Sequence, residues 1–551
     1  MKNIISLATC RLSLITCRLS LVTYHLSLVT YHLSLVTCIF AFLPFSVGAQ
    51  IRMNMGRNTP MQKLINVEMA VKSLYVDSVD ENKLVEDAIR GMLKGLDPHS
   101  SYSTKEEVRS LQESLNGNFE GIGVEFNMIS DTLLVIQPVV GGPSEKVGIM
   151  AGDRIVRVDG EPIAGVKMAK EEIMRRLRGA KGTKVRLGIV RQGFDEELQF
   201  TVKRDKIPLK SVTATYMLRP GVGYIRIGNF GATTYDEFMT SLKKLQADGM
   251  KSLVLDLQEN GGGYLKAAVE LANEFLQSRD LIVYTDGRER SEYRAQGNGQ
   301  FRKGQLIILV DGYTASAAEI VTGAVQDQDR GIVVGRRTFG KGLVQRQIPL
   351  PDSSMIRLTI AHYYTPAGRC IQKPYEKGKG EDYAMDMQNR LRSGELTSAD
   401  SVHFADSLLY YTLRKHRPVY GGGGIMPDYY VPLDTTVYTR YHRSLQARNI
   451  VVNTNLRYVD DHRRELKEQY TDFAEFKNSF EVPQSLIDNI RKEGEKLDIK
   501  PADDEELERT LSYMRVQLKA LVARDLWSMD EYFAIMNEVS PIVQQAIRLL
   551  E

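Results

Sequence analysis

Residues 305–326 read QLIILVDGYTASAAEIVTGAVQ, which predicts a buried strand over 305–310 and, after a short turn, a helix over 315–326. Strands of the same kind are predicted over Ser252–Leu257, ahead of a helix over Leu265–Leu276, and over Gly331–Val334. Strands that alternate with helices in this way indicate an α/β layered domain. We predict that this domain spans residues 207–435.

The chain on either side of this domain has a different character. Residues 60–115 carry apolar residues at helical spacing, and residues 118–205 hold short apolar strands separated by glycine turns. Beyond Asp434 the chain is charged and again helix-periodic. We therefore predict a multidomain α+β protein whose regions are a helical N-terminal region (50–115), a β-rich module (116–206), the α/β core (207–435) and a helical C-terminal extension (436–551).

Ser316 lies on the turn between the predicted strand and the predicted helix. A hydroxyl at this place meets the free N–H groups and the dipole of a helix N-terminus, which favour developing negative charge. Serine is also a preferred N-cap residue, so taken alone the position favours simple capping of the helix.

Lys341 favours a catalytic role for Ser316 over simple helix capping. It lies between Gly340 and Gly342 at the start of an apolar strand, where a solvated surface charge is poorly placed. A desolvated lysine has a lowered pKa and can act as a neutral general base. Because residues 341, 343 and 345 of a strand share one face, Gln345 can orient the Lys341 amine.

A glycine-rich loop follows the predicted strand over Ser252–Leu257 and reads DLQENGGG over 256–263. Such a loop lets backbone N–H groups approach a reacting carbonyl group. Together with the N–H of Ala317, it could form an oxyanion hole.

Together these segments resemble the carboxy-terminal processing proteases, also called tail-specific proteases. The resemblance runs from about Leu96 to Pro432 and includes LDPHS at 96–100, YYTPAGR at 363–369 and GIMPD at 424–428. It implies a Ser–Lys dyad on a layered core of the crotonase or ClpP type. Carried over by position, Ser316 is the nucleophile, Lys341 the base and Gln345 the residue that supports the base.

The glycine loop departs from the family pattern, which usually has Asn-Pro-Gly-Gly where this chain has Asn260 followed by three glycines. The departure leaves open whether Gly262 or Gly263 supplies the oxyanion donor. Asp327 matches an acidic position implicated in some relatives, but an aspartate late in a helix is ordinarily a solvated polar residue.

The β-rich module carries a second resemblance, to a PDZ domain in the circularly permuted form found in bacterial proteases. The motif Gly121-Ile122-Gly123-Val124 is followed by AGDRI at 151–155 and VDG at 158–160. In such a domain the glycine loop points N–H groups at the terminal carboxylate of a peptide, and the next strand offers an edge for β-augmentation.

The first 49 residues are predicted to be a leader. An apolar stretch over 38–47 precedes small residues typical of a signal-peptide cleavage site, and upstream of it lie near-copies of a seven-residue unit. We expect an exported, periplasmic protein. An uncleaved membrane anchor is the alternative, because the uncharged run is long enough to span a bilayer.

The composition excludes several classes of protein. The chain has 551 residues, of which 43% are hydrophobic and 26% charged, as in ordinary soluble globular proteins. The net charge of +3 comes from Lys2, Arg11 and Arg18 of the leader, which has no acidic residue. The chain after the leader is therefore neutral and gives no support for a nucleic-acid partner. Only Cys370 lies outside the leader, which excludes a disulfide framework and a cysteine metal site.

Histidine chemistry is not indicated either. No His-Glu-x-x-His motif occurs, so we expect no zinc site, and we expect neither a metal nor a cofactor. A trypsin-like enzyme is disfavoured because no Gly-Asp-Ser-Gly-Gly stretch is present. We interpret His99 and His362 as structural residues and Cys370 as a small packing residue.

We therefore expect an exported serine endopeptidase: the leader indicates export, and the resemblance implies that the enzyme binds the free C-terminus of a protein through its PDZ domain and cleaves near it. Two alternatives stay open: a catalytically inactive PDZ scaffold of the same fold, and an acyl-transferring enzyme of the crotonase-like fold. The helical C-terminal extension is predicted to form a homodimer or to dock an adaptor, because extended amphipathic helices often pair.

Overall fold

The computed structural model describes residues 59–551. The predicted leader over 1–49, with its cleavage site and its alternative reading as a membrane anchor, lies outside the described residues. Within residues 59–551, no helix has both the length and the apolar character needed to cross a bilayer. The chain divides after Val85 into two compact units, and residues 59–85 are the described part of the first.

The described part of the first unit is helical. Helix α1 spans Pro60–Leu74, and the side chain of Thr59 caps it by accepting a 3.2 Å hydrogen bond from the Gln62 N–H. Pro60 occupies the first turn, where its missing N–H costs nothing. Helix α2 spans Glu81–Lys94 and crosses the boundary between the units.

The second unit begins with the turn over 96–100, strand β1 (Ser101–Ser103) and helix α3 (Lys105–Asn116). Thr104 and Glu107 form a reciprocal capping box that starts α3, and Gly117 ends it in the left-handed conformation at φ +68°. The predicted helical N-terminal region thus contains a short strand that helical periodicity does not reveal.

The β-rich module follows as an antiparallel sheet in the order β3-β4-β5-β7-β8, with β6 beside β5. Its inward residues Leu133, Ile155 and Leu187 are fully buried. Strands β2 and β9 pair with each other and form the ribbon through which the chain enters and leaves the module. The elements are β2 (Asn118–Gly121), β3 (Val124–Ile129), β4 (Thr132–Pro138), α4 (Pro143–Lys146), β5 (Arg154–Val158), β6 (Glu161–Pro162), α5 (Lys170–Leu177), β7 (Lys184–Val190), β8 (Leu198–Lys203) and β9 (Asp205–Pro208).

The α/β core contains the predicted strands and helices, with ends displaced by at most three residues. Its first part comprises β10 (Val212–Arg219), β11 (Val222–Ile227), α6 (Thr234–Ala247), β12 (Ser252–Asp256), α7 (Leu265–Asn273), β13 (Leu281–Gly287), β14 (Ser291–Arg294), β15 (Leu306–Val310) and α8 (Ala317–Asp327). Its second part comprises β16 (Ile332–Gly335), β17 (Leu343–Pro349), β18 (Met355–Tyr364), α9 (Gly380–Ala384), α10 (Asp386–Arg392), β19 (Leu409–Tyr411), β20 (Pro418–Tyr420) and β21 (Tyr429–Tyr430).

Two sheets organise the core. The central sheet has the order β10-β11-β12-β15-β16-β21 and is parallel except for β10 at its edge. In the second sheet β18 pairs with β17, β13 and β1, and β14 pairs with β13. Strand β1 therefore joins the segment just before the β-rich module to the core within the second unit.

The C-terminal extension is helical, as predicted. Its helices are α11 (Arg440–Ala447), α12 (Ile450–Gln469), α13 (Phe473–Ser479), α14 (Gln484–Glu495), α15 (Asp504–Leu526), α16 (Met529–Val539) and α17 (Pro541–Leu550).

The extension has a hydrophobic cluster of its own, which includes Leu445, Val459 and Met514, and its last helix also completes the core of the α/β domain. One face of the central sheet packs against α6, α7 and α8, whereas Tyr224, Val254 and Ile307 on the other face belong to a cluster with Val543 and Ala546 of α17. Parallel strands covered on both faces are continuously apolar, which explains the unbroken hydrophobic runs in the sequence. Most of the apolar positions from which a homodimer or adaptor site was predicted, among them Leu466, Met514 and Leu518, pack within the cluster of the extension itself, and that prediction stays a prediction.

Candidate active site

Ser316 lies at the N-cap position of α8, immediately after the turn that follows β15. Its backbone has φ +57° and ψ −116°, a conformation that residues other than glycine rarely adopt. The preceding turn is fixed because the Asp311 carboxylate accepts hydrogen bonds from the Tyr313 and Thr314 N–H groups at 2.9 and 3.1 Å. Backbone strain supported in this way is a feature of active sites, and an ordinary capping serine has an extended backbone instead.

Glu319 connects the two halves of the predicted dyad. One of its carboxylate oxygens, Oε2, accepts hydrogen bonds from the backbone N–H of Ser316 at 2.8 Å and of Lys341 at 2.9 Å. The other, Oε1, accepts from the Gly340 N–H at 2.7 Å and from the Thr338 hydroxyl. Burial raises the pKa of Glu319, and these four hydrogen bonds oppose that rise. The carboxylate therefore places the serine and lysine segments side by side.

The sequence analysis did not single out Glu319, although a signal was present. The spacing Ser-x-x-Glu at 316–319 is that of a capping box at the start of a helix. In the structure the glutamate indeed accepts from the Ser316 N–H, but it also binds a loop more than twenty residues further along the chain.

Lys341 lies just before β17, and its side chain is mostly buried. Burial is the largest cause of its lowered pKa, and the Arg357 cation lowers the pKa further, whereas Glu319 and Asp97 raise it. The Lys341 Nζ donates a 3.2 Å hydrogen bond to Gln345 Oε1, which is the contact that the spacing predicts. Lys341 itself precedes the regular strand, and the pairing of β17 with β18 is irregular between Val344 and Gln345.

The glycine loop packs directly against the nucleophile. A Cβ atom on Gly262 would lie 2.7 Å from Ser316 Cβ and 2.9 Å from the Ala317 nitrogen, and Gly262 has φ +94°, so only glycine fits. The side chain of Asn260 orders the loop by accepting from the Gly262 N–H at 2.9 Å and donating to the Ile227 carbonyl at 2.8 Å.

These contacts bear on the open choice between the two glycines. Because the Gly262 N–H is already donated to Asn260, it is not free for an oxyanion in this structure. The hydrogen bonds among residues 59–551 include none from the N–H of Gly263 or Ala317. Of the two glycines, Gly263 is therefore the better candidate to form an oxyanion hole together with Ala317. The role of both residues as oxyanion donors stays a prediction.

Asp327 is not the solvated residue that its position in the helix suggested. It is fully buried at the far end of α8, where it forms an ion pair with Arg369, which is also fully buried. Its second oxygen accepts a 2.9 Å hydrogen bond from the Ala367 N–H. Asp327 lies eleven positions after Ser316, which corresponds to about 16 Å along a helix, so Asp327 anchors the segment after β18 and does not reach the nucleophile.

The predicted carboxylate loop of the β-rich module is well ordered by neighbouring groups. Gly121, Ile122 and Gly123 are buried, the Ile122 carbonyl accepts from the Ser144 N–H at 3.1 Å, and Gly123 has φ +72°. Val124 begins β3, which stands at the end of the sheet order and pairs only with β4 among the described strands. The free edge of β3 suits the addition of a peptide strand. Carboxylate binding by these four residues stays a prediction.

Among residues 59–551, no cluster of three or more histidine, cysteine, aspartate or glutamate side chains has the geometry of a metal site. A strained serine beside a buried lysine, on an α/β core joined to a β-rich module, is the arrangement of a serine protease with an attached peptide-binding domain.

Comparison with known proteins agrees with this class. Residues 221–383 match peptidase family S41, residues 121–204 match the PDZ domain, residues 46–107 match the N-terminal domain of the activating protease CtpB, and residues 441–528 match a family of unknown function. A carboxy-terminal-processing protease of Bartonella bacilliformis is 38% identical over 309 residues, which are 55% of this chain and 70% of that protein. The protease CtpB of Bacillus subtilis is 34% identical over 332 residues, 60% of this chain and 69% of the relative.

Among solved structures, a photosystem II D1 C-terminal processing protease is 31% identical, covering 57% of this chain and 91% of its own, with a TM-score of 0.33. The chain belongs to peptidase family S41: it is a carboxy-terminal processing protease, a serine protease that carries a PDZ domain. The predicted multidomain α+β fold and the predicted family are confirmed.

Proposed function

We propose that this protease is exported and that it cleaves near the C-terminus of protein substrates with a Ser316–Lys341 dyad, after its PDZ domain has bound their free C-terminus. The observation that carries the dyad is the shared carboxylate of Glu319, since one of its oxygens accepts the backbone N–H of both residues. Export rests on the leader sequence alone.

In the first half of the reaction, neutral Lys341 takes the Ser316 hydroxyl proton while Oγ attacks the scissile carbonyl. The resulting oxyanion accepts hydrogen bonds from backbone N–H groups, for which we propose Ala317 and Gly263. The Lys341 ammonium then returns its proton to the departing amine, which leaves an ester on Ser316.

In the second half, Lys341 takes a proton from a water molecule while the oxygen of that water attacks the ester carbonyl. As the second tetrahedral intermediate collapses, the Lys341 ammonium gives its proton to the departing Oγ; the new C-terminus is released, and the Ser316 hydroxyl and the neutral amine are restored. Burial of the amine supports this role, because a lysine with a lowered pKa is neutral over more of the working pH range. Activity is therefore expected to rise with pH through the lowered lysine pKa, and a flat profile from acid to alkaline pH would contradict the dyad.

The experiment measures degradation of an unfolded reporter with an apolar C-terminal tag. We expect Ser316→Ala and Lys341→Ala each to lower kcat/KM by about 10³-fold or more. Lys266→Ala is the matched control, because Lys266 is a surface lysine whose side chain is 85% exposed, and it is expected to match the wild type.

A reporter amidated at its C-terminus tests carboxylate capture in the same assay. Slower cleavage of the amidated reporter is expected if the PDZ domain binds the free carboxylate. Binding of the tag without cleavage would favour the catalytically inactive scaffold, and full activity of Lys341→Ala would exclude lysine as the base.

A further inference from the structure

The hydrogen bonds around Lys341 form a closed circuit that extends beyond the dyad. The Lys341 amine binds the side chain of Gln345, and that side chain binds the backbone carbonyl of His99. The His99 ring binds the Tyr383 hydroxyl. Tyr383 in turn binds the Gln372 side chain, which accepts from the backbone N–H next to Lys341. Its bonds run from Lys341 Nζ to Gln345 Oε1 (3.2 Å), from Gln345 Nε2 to the His99 carbonyl, between His99 Nε2 and Tyr383 Oη (2.8 Å), from Gln372 Nε2 to Tyr383 Oη (3.1 Å), and from the Gly342 N–H to Gln372 Oε1 (2.9 Å).

The His99 carbonyl determines which end of the Gln345 amide faces the lysine. A carbonyl oxygen only accepts, so it selects the amide nitrogen of Gln345 and leaves Oε1 for the Lys341 amine. A neutral amine has two protons and one lone pair. Donation of one proton to Oε1 restricts the direction of the lone pair, which must point to the Ser316 hydroxyl for general-base catalysis.

The orientation of the His99 ring is fixed by hydrogen bonds that involve Tyr383 and Gln372. The Gly342 N–H selects the oxygen of Gln372, so the Gln372 nitrogen donates to Tyr383 Oη and leaves the tyrosine proton for His99 Nε2. We assign Nε2 of the imidazole as the acceptor of this proton, which requires the ring to be unprotonated at that nitrogen. Burial and the nearby Lys341 lower the pKa of His99 to about 4, so the ring stays neutral at the pH where a lysine base works.

The turn that carries His99 is itself anchored to the core. The Asp97 carboxylate accepts from the His99 and Ser100 N–H groups, each at 2.9 Å, and from the Thr359 hydroxyl of β18 at 3.0 Å. The His99 carbonyl thus has a fixed position relative to β17 and β18.

We propose that His99 and Tyr383 are positioning residues of the protease: by fixing the amide of Gln345, they orient the Lys341 amine toward Ser316. The proposal rests on the Ser–Lys dyad proposed above. It gives His99 a role in the reaction, beyond the structural role suggested by the sequence.

Tyr383→Phe tests the proposal with the loss of one oxygen atom. The ring keeps its edge contacts with His99 and Phe339, at centroid distances of 5.1 and 6.0 Å. We expect kcat on the tagged reporter to fall about tenfold, as for the loss of one hydrogen bond that orients a base, with little change in KM. Tyr375→Phe is the matched control, because Tyr375 lies 6.4 Å from the Tyr383 ring in the same aromatic cluster, and wild-type kcat is expected.

His99→Phe removes the other partner of the same bond and completes a double-mutant cycle. If the two residues act through one bond, the double variant loses no more kcat than either single variant. Losses that multiply, or wild-type kcat for Tyr383→Phe, would overturn the proposal. If Lys341→Ala or Ser316→Ala is active in parallel, the dyad has failed instead, so the two failures are distinguishable.

The pH profile of kcat/KM separates positioning from loss of stability. The charged groups that act on Lys341 are Arg357 on β18, Glu319 on α8 and Asp97 in the turn, and all three are unchanged in the variants. The Gln345 oxygen favours the ammonium form, so its release is expected to move the acid limb of Tyr383→Phe to lower pH by about half a unit. A uniform loss of activity at every pH would indicate a merely structural role and contradict the proposal.

Discussion

The catalytic site and the PDZ domain are fixed by different kinds of contact. The site depends on the buried carboxylate of Glu319, and the core behind it on that of Asp327; both are fully buried and each binds several donors. The PDZ domain depends on the ribbon formed by β2 and β9 and on partly exposed ion pairs, such as that between Arg154, whose side chain is 39% exposed, and Asp460. Buried networks cost much to break and exposed pairs cost little, so we expect the orientation of the PDZ domain to be easier to change than the geometry of the site.

The C-terminal extension touches both regions. Its helix α12 contacts the PDZ domain through Asp460 and through Asn453, which accepts a 3.2 Å hydrogen bond from Asn127. Its helix α16 contacts the edge of the central sheet, where the Asp530 carboxylate accepts from the Thr215 N–H at 2.7 Å. The C-terminal extension, of which residues 441–528 match a family of unknown function, thus connects the PDZ domain to the α/β core.

The largest expected effect on stability comes from breaking the buried pair in the core. Asp327→Ala leaves the Arg369 guanidinium buried without a counter-charge, and we expect a loss of about 3–5 kcal/mol in the free energy of unfolding. Thermal unfolding of the variant measures it. Asp248→Ala, at an exposed helix end, serves as the control and is expected to stay within about 0.5 kcal/mol of the wild type. Equal unfolding temperatures for the two variants would show that the pair does not stabilise the core.

Gly262→Ala is expected to break the site with a smaller effect on stability. The added methyl group would meet Ser316 Cβ at 2.7 Å and the Ala315 carbonyl at 2.8 Å, so the nucleophile must move. A displacement of about 1 Å can cost about 100-fold in rate, and we expect that loss in kcat/KM. Gly261→Ala in the same loop is the matched control, because a Cβ there meets no atom within 4 Å and near wild-type activity is expected. Similar losses in both variants would mean that the whole loop, and not the contact at Gly262, sets the rate.

The sequence predicted those features that are encoded locally. The strand, turn and helix around Ser316 lie within one short segment, and the contact between Lys341 and Gln345 spans four residues. The PDZ motifs are likewise short and occur in the expected order. Hydrophobic periodicity and glycine positions report such local structure directly.

The features that the sequence did not reveal depend on distant partners. Glu319 has the pattern of a simple capping box, and its contact with Lys341 exists only after the chain has folded. The partner of Asp327 is Arg369, and the second face of the central sheet is covered by α17 at the end of the chain. Hydrophobic periodicity indicates which residues face the core, but it does not indicate which distant residue each of them contacts.

The smallest expected effect comes from loosening the PDZ domain. Asp460→Ala removes the ion pair with Arg154, and because such a partly exposed pair contributes about 0–1 kcal/mol, the unfolding temperature is expected to change little. The PDZ domain would then deliver a bound C-terminus to the site at a lower effective concentration, so we expect kcat/KM for the tagged reporter to fall about two- to threefold.

Cleavage of the amidated reporter is expected to stay unchanged in this variant, since that substrate does not depend on carboxylate capture. Asp461→Ala, an exposed neighbour on the same helix, is the control and is expected to match the wild type on both reporters. An equal loss on both reporters would show that the ion pair acts on the catalytic site itself, and the contrast between a rigid site and an adjustable PDZ domain would then have to be abandoned.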